Sequence, residues 1–331
     1  MNLFELDLVL TLDRDLDGRL VALRAEGVTR TWDHDADGMV AAYHEQGPAG
    51  SSTAALVRDA TGRVTEVRSP AGTNRYAYDA AGQLVAATTP AGAWTWAYDE
   101  LGRLVAESGP DGTTAYDYDE AHQLVRMVGP GGTTGFSYDA AGRRTEEAAP
   151  TVTRRYTWDG LGRLASVEDG DRTRDVDIDA FGRLAAFGAT RLTWDPTAPV
   201  ADLIAIDDRE VVSAEGHALG LGLDWLSADW RGSVIATEAA AGEVGPGAFG
   251  ELDLGGLTWL RHRLYDPATR SFLAPDPLPG IPGTPVAANP YHYADNDPIG
   301  HVDPLGLQPL SIEQYNDIRA QETGMQWGNV A

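Results

Sequence analysis

The chain has 331 residues, 43% of them apolar, which is enough to bury a sizeable core in roughly one to three domains. Its 50 acidic residues outnumber its 25 basic residues and give a net charge of −25, a field that repels nucleic-acid phosphates and anionic membranes. Cysteine is absent, so neither disulfides nor thiolate metal sites contribute to the fold.

The N-terminal stretch, residues 1–12, reads M-N-L-F-E-L-D-L-V-L-T-L. It has no basic leader and no small-residue cleavage site, and it alternates after Phe4 as a strand does, so it is not interpreted as a signal peptide. No apolar run reaches membrane-spanning length. Export would then need a dedicated machine or an upstream segment.

A repeat of the form D-x-x-G-R-L dominates the next part of the chain. Between Asp59 and Asp179 its period is 20 residues at every step, and one four-residue insertion separates Asp35 from Asp59. A fixed period of this length indicates one supersecondary unit per repeat. The nine copies begin at Asp15, Asp35, Asp59, Asp79, Asp99, Asp119, Asp139, Asp159 and Asp179.

Each unit contains two turns, the D-x-x-G corner and a second turn midway, which reads P-A-G-T at Pro70, P-A-G-A at Pro90, P-D-G-T at Pro110 and P-G-G-T at Pro130. Proline sets φ for the first turn position, and the glycine two residues later supplies a positive φ. The residues between the turns alternate, as in T-T-A-Y-D-Y-D at 113–119, which is the pattern of a half-buried antiparallel strand. We predict one hairpin per unit and about sixteen to eighteen short strands in all.

An aromatic residue precedes the corner aspartate in most copies. We expect these rings to form a ladder of cross-strand contacts, the aspartate to cap its own turn, and the arginine of G-R-L to pair with a neighbouring aspartate. Bound Ca²⁺ is the alternative, but each unit supplies one fixed aspartate, which favours a structural turn. The rings are Tyr78, Tyr98, Tyr118, Tyr138 and Trp158.

The repeat pattern fades after residue 195. A weakly alternating stretch predicts a hairpin around Asp207 and Asp208. A cluster of acids and tryptophans could form a sugar-binding platform, although packing of these rings in a core is the favoured interpretation. The cluster comprises Asp224, Trp225, Asp229, Trp230 and Trp259.

The stretch 261–307 has a different character. It contains four Asp-Pro steps and ends in D-P-L-G-L, after which the repeat chemistry disappears. Three histidines could suggest zinc, but their spacing is not that of a recognisable zinc site, so no metal or other cofactor is predicted. The Asp-Pro steps are at Asp266, Asp276, Asp297 and Asp303, and the histidines are His262, His292 and His301.

The nine D-x-x-G-R-L copies, most preceded by an aromatic residue, resemble the YD repeats of the Rhs family. That family includes bacterial polymorphic toxins, the C component of insecticidal toxin complexes and the teneurins. The resemblance implies an all-β fold, in which tandem antiparallel hairpins form a curved or spiralling sheet around a C-terminal toxin. It divides the chain into a repeat sheet (1–195), a closing region (196–307) and the start of a variable toxin or cargo (308–331).

Two stretches of the closing region resemble the family's self-cleavage motif: R-L-Y-D-P-A-T-R-S-F-L-A-P-D-P and N-P-Y-H-Y-A-D-N-D-P-I-G-H-V-D-P-L-G-L. Members with this motif cut themselves after its last leucine, which places the cut between Leu307 and Gln308. The resemblance assigns the chemistry to Asp276 and Asp303. The insertion of Ser271 next to Arg270 departs from the family's spacing ahead of Asp276.

Elementary chemistry makes such a pair of acids sensible. Two carboxylates in one buried pocket share a proton, so one can act as the base towards water and the other as the acid towards the leaving amine. We expect Pro304 and Gly306 to bend the chain onto the pair and Leu307 to sit in an apolar pocket. Arg263 or Arg261 would steady the oxyanion, whereas Asp266 and Asp297 serve as turn caps.

Residues 308–331 are too few for an independent toxic domain, and 311–323 predicts a helix capped by Ser311. The expected partner is the chain's own C-terminal cargo, with a secretion machine and further shell segments or copies as others. Neither nucleic acid nor a membrane span is expected. Synthesis in the bacterial cytoplasm followed by export as an effector in competition between bacteria fits this interpretation. The alternatives are a non-cleaving adhesion module of the teneurin kind and a carbohydrate-binding protein.

Overall fold

A computed structural model gives the architecture of most of the chain. β1 begins at Thr11, so most of the strand expected over residues 1–12 lies outside the described part. The described residues are 10–25, 27–48, 50–195, 202–214, 217–222, 224–237, 245–246, 251–278, 280, 286–315 and 318.

Strands make up nearly all of the regular structure, which confirms the predicted all-β fold. A short 3₁₀ helix spans Ala294–Asn296, and helical backbone follows at residues 312–315 and 318. No helix within the described ranges is long and apolar enough to cross a membrane. The strands are β1 (Thr11–Arg14), β2 (Leu20–Ala25), β3 (Val28–His34), β4 (Val40–Gly47), β5 (Gly50–Arg58), β6 (Val64–Ser69), β7 (Gly72–Tyr78), β8 (Leu84–Thr89), β9 (Gly92–Tyr98), β10 (Leu104–Gly109), β11 (Gly112–Tyr118), β12 (Leu124–Gly129), β13 (Gly132–Tyr138), β14 (Arg144–Ala148), β15 (Thr153–Trp158), β16 (Leu164–Asp169), β17 (Arg172–Ile178), β18 (Leu184–Phe187), β19 (Thr190–Trp194), β20 (Leu203–Ile206), β21 (Arg209–Ala214), β22 (His217–Leu221), β23 (Asp224–Ala228), β24 (Val234–Thr237), β25 (Gly245–Pro246), β26 (Leu252–Asp253), β27 (Thr258–Leu260), β28 (Arg263–Asp266), β29 (Ser271–Phe272), β30 (His301–Val302) and β31 (Leu310–Ser311).

The strands from β1 to β24 form one 24-stranded sheet in which each strand pairs antiparallel with the next along the chain. We call it the repeat sheet. The pairing continues beyond residue 195 and includes the hairpin predicted at Asp207 and Asp208, so there are more strands than the sequence pattern suggested. Among the described residues no pairing joins β1 to β24, so the sheet is open. Strands β25 to β29 form a separate five-stranded sheet, which we call the closing sheet.

The D-x-x-G corners are held by the aspartate, as the sequence predicts. In the corner at Asp59, Oδ1 accepts the N–H groups of Thr61 at 2.9 Å and Arg63 at 3.2 Å, and the Gly62 N–H donates to the Asp59 carbonyl at 3.0 Å. Gly62 has φ = +87°, a left-handed conformation that glycine adopts without strain. The Arg63 guanidinium binds Asp59 Oδ2 at 2.8 Å, so the repeat arginine pairs within its own corner.

The repeat aromatics tie neighbouring strands together by hydrogen bonds, and Tyr98, Tyr118 and Tyr138 pack against one hydrophobic cluster. The Tyr118 hydroxyl donates to the Leu104 carbonyl at 2.9 Å, and the guanidinium of Arg103 lies 5.0 Å from the centre of the Tyr118 ring. The same bond to the carbonyl fourteen residues earlier is made by Tyr78, Tyr98, Tyr138 and Trp158. Because the corner places one aromatic per repeat, its polar tip reaches the adjacent strand at a fixed register.

The P-x-G-T turns stack on one another along the opposite rim of the sheet. Gly112 has φ = +126°, and a Cβ added there would lie 2.8 Å from Pro130 Cγ of the next turn. Gly132 meets Pro150 in the same way at 2.8 Å. Glycine is therefore needed at this position for two reasons, the positive φ of the backbone and the close approach of the next proline.

Replacing Gly112 by alanine should lower the free energy of unfolding by about 1–3 kcal/mol, because the methyl group adds strain to a left-handed turn and clashes with Pro130. Thermal or urea unfolding would measure the change. Gly131→Ala is the matched control in the neighbouring turn, since nothing lies within 4 Å of its added Cβ. Equal effects of the two substitutions would show that the Gly112–Pro130 contact is unimportant.

The repeat sheet curls until distant strands meet along a buried seam. Arg30 in β3 binds Glu45 in β4 at 2.7 Å, and its Nη2 donates to the Leu226 carbonyl in β23 at 2.8 Å. Glu45 also accepts the Ala228 N–H at 3.1 Å. Because Arg30 and Glu45 are both almost fully buried, removing either partner would leave an uncompensated charge in the core.

Candidate active site

The closing sheet is joined to the repeat sheet by a buried ion pair. Arg144 stands where the other corners carry leucine or valine, and its Nη1 lies 2.6 Å from Asp266 Oδ2. Its Nη2 donates to Thr269 Oγ1 at 3.1 Å, and its backbone N–H donates to the Leu273 carbonyl at 2.8 Å. The expectation that Asp266 serves as a turn cap was incomplete, because it also neutralises a fully buried arginine.

A second junction lies between residues 286–298 and the row of D-x-x-G corners. Asn296 Nδ2 donates to the Gly102 carbonyl at 2.8 Å and to Gln83 Oε1 at 2.8 Å. Asn289 donates to the same Gly102 carbonyl at 3.2 Å, and the Tyr291 hydroxyl donates to the Gly142 carbonyl at 2.7 Å. The N-P-Y-H-Y-A-D-N motif therefore binds the backbone of the repeat corners.

Arg263 is the centre of the candidate site. It begins β28, and its side chain is buried against Phe272, whose ring centre lies 3.6 Å from Cζ. Its Nη2 lies 2.8 Å from Asp276 Oδ2 and 3.5 Å from Asp303 Oδ2. Its Nε donates to the Gly306 carbonyl, one residue before Leu307. One guanidinium thus holds both predicted acids and the chain that leads to the predicted cut.

The predicted acids reach Arg263 from two different segments. Asp276 follows β29, where its N–H donates to the Pro290 carbonyl at 2.8 Å and its Oδ1 accepts the Leu278 N–H at 2.8 Å. Asp303 follows β30 and is 2% exposed. Oδ2 of each acid faces the guanidinium of Arg263. The structure therefore brings together Arg263, Asp276 and Asp303 from sequence positions up to forty residues apart.

Asp303 lies directly beside the predicted scissile bond. Its Oδ1 accepts the Leu307 N–H at 2.8 Å and the Gln308 N–H at 3.1 Å. The Gln308 nitrogen is the atom that would leave as an amine. Hence the carboxyl group and the leaving nitrogen are within direct proton-transfer distance.

The D-P-L-G-L segment is a variant of the repeat corner. Gly306 has φ = +67° and donates its N–H to the Asp303 carbonyl at 3.1 Å, as glycine does in the D-x-x-G corners. In both turns Oδ1 also accepts the N–H four residues on. The difference is the cation: most repeat corners supply their own arginine at that position, whereas here Leu307 occupies it and Arg263 comes from the closing sheet.

Burial sets the electrostatics of this site. Burial is the largest influence on Asp303 and raises the pKa of its carboxyl above the ordinary aspartate value, although the bonds from Leu307 and the charge of Arg263 oppose the shift. The charge of Asp276 raises it further. Burial likewise lowers the pKa of Arg263 from its ordinary value. The single positive charge of Arg263 is balanced when one of the two acids is ionised and the other keeps its proton.

The other predicted site residues lie as follows. Pro304 is buried, and Gly306 lies so close to β27 that an added Cβ would be 2.6 Å from the Leu260 carbonyl oxygen. Leu307 is half-buried rather than enclosed in an apolar pocket as expected. Arg261 points elsewhere, with its guanidinium 5.6 Å from the centre of the Trp194 ring, so Arg263 is the arginine at the site.

The residues of the two alternative sites, the sugar-binding platform and the zinc site, lie elsewhere in the fold. Trp230 and Trp259 are buried within hydrophobic clusters, so they belong to the core rather than to an open sugar-binding platform. His292 lies 3.3 Å from Asp295, and His301 lies 3.4 Å from Asp297. Across the described ranges, no group of three or more His, Cys, Asp or Glu side chains is placed to hold a metal ion.

Several functional contacts were missed in the sequence, although a signal for them exists. Arg144 breaks G-R-L, and Gln83 replaces its arginine; both side chains contact the closing region. Asp229 also begins a tenth corner, D-W-R-G-S, in which its Oδ1 accepts the Ser233 N–H at 2.9 Å. Arg144 and Gln83 are thus two departures from the repeat consensus at which the closing region docks.

A comparison with known families agrees with this architecture. The RHS repeat family model matches residues 58–93, 98–134 and 118–151. These repeat matches support an Rhs/YD-repeat family for the chain. The chain is 35% identical over 81 residues to the tRNA(Glu)-specific nuclease WapA of Bacillus subtilis subsp. natto, a match that covers 23% of the chain and 4% of that protein.

One solved structure shares the fold of this chain, and others resemble it less closely. A chain of the Photorhabdus luminescens Tc holotoxin pore, which carries a mutation in TccC3, matches with a TM-score of 0.50 and 14% identity over 91% of this chain and 19% of that one. A TcdB2-TccC3-Cdc42 structure matches with a TM-score of 0.44 and 14% identity, covering 95% and 22% of the two chains. The chain thus spans less than a quarter of the length of these proteins.

Proposed function

We propose that this chain is part of an Rhs shell that surrounds a C-terminal toxin or cargo and cuts its own backbone between Leu307 and Gln308. The observation that carries the proposal is the position of Asp303, a buried acid whose Oδ1 lies 3.1 Å from the Gln308 nitrogen. The fold of the repeat sheet, which is shared with toxin-associated relatives, supports the shell part of the proposal.

The chemistry divides between the two acids according to their surroundings. Asp276, which is more exposed and pairs with Arg263 at 2.8 Å, is the base that takes a proton from water. The water oxygen bonds to the Leu307 carbonyl carbon, and Asp303 gives its proton to the Gln308 nitrogen as the carbon–nitrogen bond breaks. The products are a carboxyl group on Leu307 and an amine on Gln308, and solvent restores the protons of the two acids.

Arg263 prepares this arrangement before the reaction. Through Nη2 it places both carboxyl groups, and through Nε it fixes the Gly306 carbonyl one residue before the cut. Because these contacts already exist in the folded protein, the two acids and the segment to be cut are positioned before the reaction. The reaction occurs once per chain, because the substrate is a bond of the protein itself.

An intact mass measurement of purified full-length protein under denaturing conditions tests the proposal. We expect two species, one that ends at Leu307 and one that begins at Gln308. A single species of full length after prolonged incubation of the folded protein would overturn self-cleavage and leave a non-cleaving repeat module, as in the adhesion alternative.

The cleavage rate should fall as pH rises through the pKa of Asp303. This acid must be protonated to act, and burial raises its pKa above the ordinary value of 3.8, so activity persists above that value and then declines. Above the pKa the expected slope is about tenfold per pH unit, since only the protonated fraction reacts. Denaturing mass spectra of newly synthesised chain, taken over time at stepped pH, give the rate. A rate that rises with pH across this range would exclude Asp303 as the acid.

A further inference from the structure

The turn before the predicted cut is fixed by its main-chain atoms. The Leu305 carbonyl accepts the His262 N–H at 3.2 Å, and the Gly306 carbonyl accepts Nε–H of Arg263. A Cβ added to Gly306 would lie 2.6 Å from the Leu260 carbonyl oxygen and 3.1 Å from the Arg263 nitrogen, so this close approach requires glycine. The turn is therefore held in one position relative to β27 and β28.

The far end of the same loop is fixed as well. β30 and β31 pair antiparallel, with Val302 opposite Leu310. Ser311 caps the helical turn that follows, as predicted, since its Oγ accepts the Gln314 N–H at 3.1 Å. Most of the predicted helix, however, lies outside the described residues. The loop between the paired strands, residues 303–309, consequently has little freedom to slide past Asp303.

Asp303 contacts this loop through two main-chain nitrogens. In a repeat corner, Oδ1 of the aspartate accepts the N–H groups of the second and fourth residues after it, as in the corner at Asp59. Asp303 Oδ1 instead accepts those of the fourth and fifth residues, Leu307 at 2.8 Å and Gln308 at 3.1 Å. The fifth residue supplies the nitrogen that would leave, so the departure from the repeat corner brings that atom to the acid.

Two peptide bonds thus have their nitrogen at Asp303, and solvent exposure separates them. Gly306 is buried against β27 and β28, whereas Leu307 is half-buried and Gln308 is exposed. Water therefore reaches the Leu307–Gln308 bond more readily than the Gly306–Leu307 bond. Of the two, the Leu307–Gln308 bond combines a nitrogen held by the acid with a residue on each side that solvent reaches.

The side chain of Leu307 has no evident part in this arrangement. A pocket that selects leucine would enclose it, but Leu307 is half-buried, and its contact with Asp303 uses its main-chain N–H. Every residue except proline carries the same N–H donor. The contacts that place the bond are therefore independent of which side chain precedes it.

We propose that the main chain of residues 303–308, the cutting turn, selects the bond by fixing which nitrogens meet Asp303, and that the Leu307 side chain does not select it. The cut is then counted from Asp303, between the fourth and fifth residues after it. Gly306 determines this specificity, because it lets the turn approach β27 and β28. The inference rests on the proposed self-cleavage, although the placement of the two nitrogens also holds in an uncut chain.

An insertion separates selection by the main chain from selection by leucine. An alanine added between Gly306 and Leu307 becomes the fourth residue after Asp303 and makes Leu307 the fifth. We expect the cut to move to the bond between the added alanine and Leu307, so that the C-terminal fragment begins at Leu307. Denaturing mass spectra of the full-length protein identify the fragment. A fragment that still begins at Gln308 would overturn the proposal.

Substitutions decide the case in which the insertion blocks cutting. Leu307→Ala should still be cut before Gln308, less than about tenfold more slowly, whereas a leucine pocket would lose roughly 10–200-fold for each missing carbon. Gly306→Ala should slow the cut by about 10²-fold, the effect of displacing reacting groups by about 1 Å. Gly182→Ala is the control, since Gly182 has φ = +82° in a repeat corner and nothing lies within 4 Å of its added Cβ. Loss of cutting in Leu307→Ala, or equal rates in the two glycine variants, would refute selection by the turn.

Amide hydrogen exchange distinguishes failure of this inference from failure of the proposed function. If the parent is never cut, the proposed function fails, and exchange at the Leu307 and Gln308 amides then tests the cutting turn by itself. We expect both amides to be protected in the parent and in the position-308 amide of Leu307→Ala, and to lose protection in Gly306→Ala. An unprotected Gln308 amide in the parent, or its loss of protection in Leu307→Ala, would contradict placement by the main chain.

Discussion

Asp303→Asn should leave the chain intact between Leu307 and Gln308, or slow the cut by about 10²–10⁴-fold, the usual contribution of general acid–base catalysis. The amide has the same shape as the acid, and its oxygen can still accept the N–H groups of Leu307 and Gln308. It cannot, however, supply the proton that the Gln308 nitrogen needs in order to leave. Denaturing mass spectra at fixed times after synthesis measure the uncut fraction.

Asp297→Asn is the matched control for this substitution. Asp297 is another 2% exposed aspartate of an Asp-Pro step, but its Oδ1 accepts the N–H groups of Ile299 and Gly300 rather than those of the predicted cut. We expect Asp297→Asn to cut at nearly the parent rate if the protein folds. Rapid cutting by Asp303→Asn would refute the assigned acid, and equal loss in both variants would indicate a folding defect instead.

Arg144→Leu should destabilise the protein by about 3–5 kcal/mol, the cost of leaving a buried charge without its partner. This substitution restores the leucine that the repeat consensus carries, so repeat statistics alone would favour it. The structure predicts the opposite, because Asp266 is 1% exposed and would be left facing leucine. Urea unfolding, followed by tryptophan fluorescence, measures the difference.

Two variants show whether the pair itself is responsible. Arg143→Leu alters the adjacent arginine, whose ion pair with Asp139 at 2.6 Å is partly exposed and should contribute about 0–1 kcal/mol. Adding Asp266→Leu to Arg144→Leu should recover part of the loss, because it removes the orphaned charge. A parent-like midpoint for Arg144→Leu alone would show that the junction with the closing sheet is not held by this pair.

Two arginines mark places where the sequence departs from its own repeat. Arg144 and Arg58 each replace a consensus apolar or aromatic residue, and each meets an acid more than 100 residues later in the chain. A single sequence shows the departure but not the partner, because ion pairs of this kind depend on how far the sheet curls. For the same reason Asp266 was interpreted as a turn cap alone.

The sequence by itself determined the repeating unit of this protein. The 20-residue period, the D-x-x-G corner and the P-x-G-T turn each depend on contacts within a few residues, such as Asp59 with Thr61 and Arg63, so local chemistry specifies them. It also singled out Asp303 and the D-P-L-G-L segment, through their resemblance to the family's self-cleavage motif.

Only the tertiary structure decided how the units work together. The period does not state how many strands join the sheet, where the sheet curls back on itself, or which arginine reaches Asp303. Arg263 meets Asp276 and Asp303 because the closing sheet docks on the repeat corners through Arg144 and Asn296. Those contacts join segments far apart in sequence, and their energy depends on burial that exists only after the whole chain has folded.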